Sequence, residues 1–215
     1  MFTGIVEEIG RVSQIQHVSK GMQLSISCNK VLNGTAIGDS IACNGVCLTV
    51  TRLITGGFVA DVMSETAKVT NIGTLGLHSM VNLERAMPAN GRFSGHIVSG
   101  HIDCQEEVQK VVQDGLAIVY QFSKSKDIQK NIVLRGSITI NGVSLTVMRN
   151  TPSSFSVSLI PHTQQETNLQ FLKAQDKVNI EVDIFSKYIQ SFFKDPVEEN
   201  NESKLSEAFL RANGF

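Results

Sequence analysis

The chain has 215 residues, 41% of them apolar and 18% charged, enough to bury one large core or two cores of about a hundred residues each. Its 19 basic side chains against 20 acidic ones leave a formal net charge of −1, so no overall field would hold it on nucleic acid or on an anionic membrane, and a small neutral or weakly anionic partner fits better. The N-terminus, Met1-Phe2-Thr3-Gly4-Ile5-Val6-Glu7-Glu8, lacks a basic leader, and no segment reaches the roughly eighteen uninterrupted apolar residues of a membrane span, so a soluble, cytoplasmic protein is expected.

From Ser40 onward the apolar residues alternate. Ser40-Ile41-Ala42-Cys43, Cys47-Leu48-Thr49-Val50-Thr51 and Phe58-Val59-Ala60-Asp61-Val62 are short and rich in β-branched residues, the pattern of half-buried strands. Asn44-Gly45 supplies the two φ > 0 positions of a tight hairpin, and Gly56-Gly57 supplies another turn. Pro88-Ala89-Asn90-Gly91-Arg92 has the chemistry of a linker. Beyond it, Leu116-Ala117-Ile118-Val119-Tyr120 and Phe155-Ser156-Val157-Ser158-Leu159 resume the strand pattern, Asn141-Gly142 supplies a second hairpin, and residues 123–132 are expected to form a short helix. Ile184, Tyr188, Ile189 and Phe192 then recur at helical spacing, with Phe185 and Phe193 widening the stripe. This is an amphipathic helix whose apolar face needs a partner. Asp195-Pro196 is expected to end it, the acidic run 198–202 to be mobile, and Leu205, Phe209 and Leu210 to form a last short helix or fray.

An internal repeat organises these elements. Ser40-Ile41-Ala42-Cys43-Asn44-Gly45-Val46-Cys47-Leu48-Thr49-Val50 returns as Ser137-Ile138-Thr139-Ile140-Asn141-Gly142-Val143-Ser144-Leu145-Thr146-Val147, 97 positions on (Asn44 to Asn141). The same offset aligns Thr66, Thr70 and Asn71 with Thr163, Thr167 and Asn168, and Val81-Asn82-Leu83-Glu84 with Val178-Asn179-Ile180-Glu181. Segments sharing one offset imply a duplicated domain. Several strands per copy hide their edges most economically in a closed Greek-key barrel. The expected organisation is all-β: a six-stranded barrel over 1–96, its duplicate over 97–186, and a C-terminal helix and tail over 187–215.

The repeat places Cys47 and Ser144, a thiol and a hydroxyl, at one barrel position, and both are potential nucleophiles or donors. Set against this is the plainer reading of two small residues beside a hairpin. Cys28, Cys43, Cys47 and Cys104 have no zinc-site spacing and read as reduced thiols. His96 and His101, five residues apart, fall on opposite faces of an extended segment and make poor joint metal ligands. His96 reads as a satisfied structural histidine, whereas Gly100 beside His101 invites close approach of a ligand. No phosphate-cradling glycine loop opens a helix.

The opening Met1-Phe2-Thr3-Gly4-Ile5-Val6-Glu7, the paired Asn-Gly-Val motifs, Ser99-Gly100-His101-Ile102-Asp103, Ile160-Pro161-His162-Thr163 and Val178-Asn179-Ile180-Glu181 together resemble the α-chain type riboflavin synthase family, over nearly the whole chain to about Tyr188. The resemblance implies two lumazine-binding barrels per subunit and a homotrimer whose C-terminal helices pack together. It implies a reaction in which two molecules of 6,7-dimethyl-8-ribityllumazine give riboflavin and 5-amino-6-ribitylaminouracil, with no metal or redox cofactor and no nucleic-acid or membrane partner. The active site implied lies between the N-terminal barrel of one subunit and the C-terminal barrel of its neighbour. The first barrel would contribute Gly4, Ile5 and Val6, then Cys47, Leu48 and Thr49, then Asp61, Val62, Met63, Ser64, Glu65 and Thr66. The second would contribute Gly100, His101 and Ile102, then Arg135, then Ser144, Leu145 and Thr146, then Ile160, Pro161, His162 and Thr163. Phe2, Thr3 and Ser40 stand beside these. Ser144 or Cys47 is assigned as nucleophile or proton relay and His101 as acid/base, with Thr49, Thr66, Thr146 and Thr163 orienting the ligands. Arg135, Asn131, Ser64 and Ser94 depart from residues common in the family. A non-enzymatic antenna protein of the same double barrel is the alternative. A flavin-reductase barrel would need a nucleotide-binding domain for which the repeat leaves no room.

Overall fold

In the computed structural model, which describes residues 1–193 and Arg211, the two Asn-Gly turns form as their sequence requires. Asn44 and Gly45 take φ of 47° and 81°, and Asn141 and Gly142 take 45° and 80°, the left-handed pair that matches the twist of a two-residue hairpin. Each hairpin joins two strands of a closed barrel. The first barrel comprises β1 (Glu8–Val18), β2 (Gly21–Ser27), β3 (Ser40–Cys43), β4 (Val46–Ile54), β5 (Gly57–Met63) and β6 (Met80–Arg85), in the order β1-β2-β5-β4-β3-β6. The second comprises β7 (Cys104–Asp114), β8 (Ala117–Ser123), β9 (Ser137–Ile140), β10 (Val143–Asn150), β11 (Ser154–Leu159) and β12 (Lys177–Val182), in the order β10-β11-β8-β7-β12-β9. These are the same circuit entered at different strands, so the duplication read from the sequence is a duplication of topology. Short helices α1 (Ser64–Val69) and α2 (Pro161–Glu166) follow β5 and β11, and α3 (Ile184–Phe193) follows β12.

Alternation along the strands sends one set of side chains into each barrel. Leu24, Ile26, Ile41, Val50, Phe58 and Leu83 fill the first. Tyr120, Phe122, Ile138, Val147, Phe155 and Ile180 fill the second, where the rings of Phe122 and Phe155 stack with centroids 5.3 Å apart. Each such side chain contributes roughly 1.5–3 kcal/mol through burial.

The barrels meet at a seam of asparagines about a pseudo-dyad. Asn179 accepts the Asn71 N–H on Oδ1 at 2.7 Å and donates through Nδ2 to the Asn44 carbonyl at 2.9 Å. In the mirrored half, Asn82 accepts the Asn168 N–H at 2.7 Å and donates to the Asn141 carbonyl at 2.8 Å. The hairpin tips touch here, since a Cβ on Gly45 would lie 2.8 Å from the Gly142 nitrogen.

Residues 124–136 form turns rather than the helix expected over 123–132, whose first residue ends β8. Ile128 and Ile132 have helical spacing, but both are buried as a plug in the second barrel. The backbone is pinned from outside the segment, with Ser125 N–H donating to buried Glu106 and Lys124 N–H to the Ser153 carbonyl. The expectations for Asp195-Pro196, for 198–202 and for Leu205, Phe209 and Leu210 lie outside the described residues.

Candidate active site

The segments that precede β1 and β7 do not stay with the barrels they lead into. They cross. Residues 1–7 run antiparallel to residues 95–100, with Phe2 N–H donating to the Val98 carbonyl at 2.7 Å and Val98 N–H to the Phe2 carbonyl at 3.1 Å. Each then reaches the other barrel. The Gly4 carbonyl accepts the Ser144 N–H at 2.8 Å, and the Gly100 carbonyl accepts the Cys47 N–H at 2.9 Å. Val6 packs against the second core and Ile102 against the first. The grouping implied by chain order is therefore corrected: Gly4, Ile5 and Val6 belong with Ser144, and Gly100, His101 and Ile102 with Cys47. Gly4 and Gly100 take φ of 77° and 84°, and a Cβ on either would lie 2.6 Å from the Cβ of Ser144 or Cys47. Only glycine permits that approach.

Buried carboxylates hold the crossed segments. Glu84 accepts from the Thr3 N–H (2.7 Å), the Thr3 hydroxyl (2.8 Å) and the Gly4 N–H (3.0 Å). Glu181 accepts from the Ser99 N–H (2.7 Å), the Ser99 hydroxyl (2.6 Å) and the Gly100 N–H (3.0 Å). Burial raises the Glu84 pKa from its ordinary value, against the pull of those donors.

Around Ser144 and Cys47 the pseudo-symmetry breaks. The Ser144 hydroxyl lies 2.7 Å from Nδ1 of His96, whose Nε2 lies 3.1 Å from the Thr139 hydroxyl. His96 is 8% exposed, and burial lowers its pKa, with Asp183 opposing. A neutral ring that donates from Nε2 to Thr139 leaves Nδ1 free to accept the Ser144 proton, which makes the hydroxyl a better nucleophile and proton relay. At Cys47 the place of Thr139 is taken by Ala42, and the fully buried Phe2 ring packs against both Ala42 and Cys47. Among the described residues no histidine is hydrogen-bonded to the Cys47 thiol, in contrast to the His96–Ser144 contact. His96, read from the sequence as a satisfied structural group, is satisfied, and it is satisfied by the hydroxyl best placed for chemistry.

Side chains that alternate outward from the barrels form an open face in each half. Thr49 and Asp61 stand one step beyond the Val50–Ala60 pair and are exposed, and Met63 is 65% exposed. In the other half, Thr146 and Ser158 stand one step beyond the Val147–Val157 pair, with Ile160 59% exposed. Ser158, absent from the residues expected of the site, belongs to this face. Leu48, Val62 and Leu145 point inward and are buried, so only their backbone is available. Ser64, Glu65, Pro161 and His162 are exposed at the starts of α1 and α2, and Thr66 and Thr163 are half-buried there, each carbonyl accepting the hydroxyl of the threonine four residues on. His101 is exposed beside the Cys47 half. Thr3, Ile5 and Ser40 line a separate cleft of about 480 Å³ that includes neither Cys47 nor Ser144. Among the described residues no cluster of His, Cys, Asp and Glu could hold a metal ion, and no helix is long and apolar enough to cross a membrane.

The Lumazine binding domain profile matches this chain at residues 3–86 and again at 99–183, once per barrel. Over its full length the chain is 48% identical to the whole of the riboflavin synthase of Actinobacillus pleuropneumoniae and 44% identical to the whole of that of Bacillus subtilis. The chain belongs to the riboflavin synthase family. Among solved structures, LumP complexed with riboflavin superposes with a TM-score of 0.79 at 26% identity, covering 85% of this chain and 99% of that one. LumP complexed with 6,7-dimethyl-8-(1'-D-ribityl) lumazine gives 0.77 at 23% identity over the same shares, a likeness of fold. The double barrel is thus shared with these solved structures, and the His96–Ser144 contact joins the stretch between the two matched copies to the second copy.

Proposed function

We propose that the protein is a transferase that makes riboflavin, taking a four-carbon unit from one 6,7-dimethyl-8-ribityllumazine to another and releasing 5-amino-6-ribitylaminouracil. The observation that carries the reading is the pair of matching outward faces, each built from one barrel and the other barrel's leading segment. The two products together contain the atoms of the two substrates, so the exchange needs no external oxidant or reductant. The 7-methyl protons of a lumazine are acidic because the electron-poor ring delocalises the anion, so a modest base suffices to start the reaction. Ser144, backed by His96, is the nucleophile or proton relay that activates the second ring at C7, and His101 is the acid/base of the Cys47 half. Thr49 and Thr146 orient the ligands. Holding two rings face to face turns a bimolecular encounter into an oriented one, which supplies much of the rate.

The open faces need a cover, and a second copy of the chain supplies one. Helix α3 presents Phe185, Tyr188, Ile189, Phe192 and Phe193, all more than half exposed, an apolar stripe suited to packing with other copies. A cytoplasmic homotrimer is the proposed assembly, with each active site between the first barrel of one copy and the second barrel of the next. Incubation of the purified protein with the lumazine tests the whole reading. Riboflavin should accumulate, with two lumazines consumed for each riboflavin formed. One tightly held ligand and no product would make it an antenna protein instead.

Arg135 offers a separate check. It sits at φ +67° where the first barrel has Gly38 at +96°, its N–H donating to the Val147 carbonyl at 2.9 Å. A side chain here costs about 1 kcal/mol of backbone strain, and an exposed guanidinium carried on backbone bonded next to Thr146 is the compensating gain. Arg135→Gly should leave the melting temperature unlowered while raising KM about tenfold, the value of a charge-assisted hydrogen bond.

A further inference from the structure

The crossed segments are clamped at matching places by carboxylates whose cations differ in origin. Glu7 follows Val6 and accepts the Arg85 backbone N–H at 2.8 Å, while the Arg85 guanidinium grips it at 2.6 Å. Burial works against its ionisation, but the Arg85 hydrogen bonds outweigh that and hold its pKa below the ordinary value. This clamp closes within the first barrel, between the segment and β6. Asp103 follows Ile102 in the same way and accepts the Val182 backbone N–H at 2.9 Å. Val182 holds on β12 the place that Arg85 holds on β6, and it has no charge to offer. The cation comes instead from Lys187 in the first turn of α3, whose Nζ lies 2.7 Å from the other Asp103 oxygen.

The consequence follows the chain. Asp103 fixes residues 100–102; Ile102 enters the first core, and the Gly100 carbonyl takes the Cys47 N–H. A line of contacts thus runs from α3 through Lys187, Asp103 and Ile102 to the hairpin at Cys47. We infer that Lys187 is a positioning residue: docking of α3 sets the Gly100–Ile102 backbone against Cys47, so one half of the site is completed only when the helix is seated. The Ser144 half is clamped by Arg85 and not by Lys187, and the helix reaches it only through the charge of Asp183 on His96. The effect on turnover rests on the proposed function; the coupling itself does not.

Amide hydrogen exchange on the full-length protein reads the coupling without any substrate. The Lys187 and Asp103 side chains are 28% and 25% exposed, a partly shielded pair whose loss is expected to change local opening by about fivefold. Lys187→Met should accelerate exchange at the Cys47 amide by about that factor and leave the Ser144 amide unchanged. Lys187→Arg, which keeps the charge, should restore the slow rate. Arg85→Met should reverse the pattern, exposing the Ser144 amide and sparing Cys47. Unchanged Cys47 exchange in Lys187→Met, or equal acceleration at both amides, would overturn the inference. Absence of riboflavin formation with the exchange pattern intact would overturn only the function.

Discussion

Replacing His96 with Gln is expected to lower turnover about 100-fold, the usual worth of a positioned proton-transfer group. Glutamine places its amide where Nε2 was, so the Thr139 contact survives and the Ser144 contact does not. Ser144→Ala removes the other end of the same bond and should cost a similar factor. If the two act as one relay, the double variant falls little further than either alone, because groups acting as a unit are not additive. Lumazine binding should change far less than turnover in all three. The pH profile gives an independent reading. The unfolded chain takes a proton on this histidine near 6.5, whereas burial lets the folded chain take it only at lower pH. Both stability and rate from this group are therefore complete above about 6.5 and are lost as pH falls through the folded value. The acid limb of kcat should lie below 6.5 in the wild type and flatten in His96→Gln. Retained activity in His96→Gln, alongside its loss in His101→Gln, would move the relay to the Cys47 half.

Much of the fold was legible because local chemistry and global topology agree. Asn44-Gly45 and Asn141-Gly142 demand hairpins, the flanking residues alternate, and a constant offset makes two barrels of one pattern. The site was legible only in part. A duplicated segment looks the same whether it lines a pocket or seals an interface, and the repeat contains both. Asn71 and Asn168, five residues past the threonines expected to hold ligand, serve the seam, while Cys47 and Ser144 stand two residues past their turns on the outward side of the strands. The crossing of the leading segments was hidden for another reason. Thr3-Gly4-Ile5-Val6-Glu7 matches Ser99-Gly100-His101-Ile102-Asp103 at 96 positions rather than 97, so the strongest register passes over it. That one-residue difference was the available signal. His96 escaped because it has no counterpart in the first copy, and repetition cannot flag what occurs once.

Asn179→Ala should be the most destabilising of the single substitutions considered. The side chain is fully buried, and besides the Asn71 N–H and Asn44 carbonyl it donates to the Asn71 side-chain oxygen at 2.9 Å. Truncation leaves the Asn71 N–H and the Asn44 carbonyl without that partner, each at about 1–3 kcal/mol, while the Asn71 side-chain oxygen keeps the Asn44 amide, so a loss of about 3 kcal/mol is expected. For a chain of this size that lowers the melting temperature by about 10 °C. Asn82→Ala should cost somewhat less, because Asn82 repeats the bonds to the Asn168 N–H and the Asn141 carbonyl but not the third, the Asn168 side-chain oxygen having no partner among the described residues. The strain falls on the seam and not on either core, so the double variant should melt in two steps as the barrels separate, where the wild type melts in one. The same substitutions leave the Ser144–His96 bond untouched, and at temperatures well below melting each single variant should keep most of its turnover. A steep loss of activity in a protein that still melts late would place the asparagines in the site after all and deny them the structural task that their burial and bonding describe.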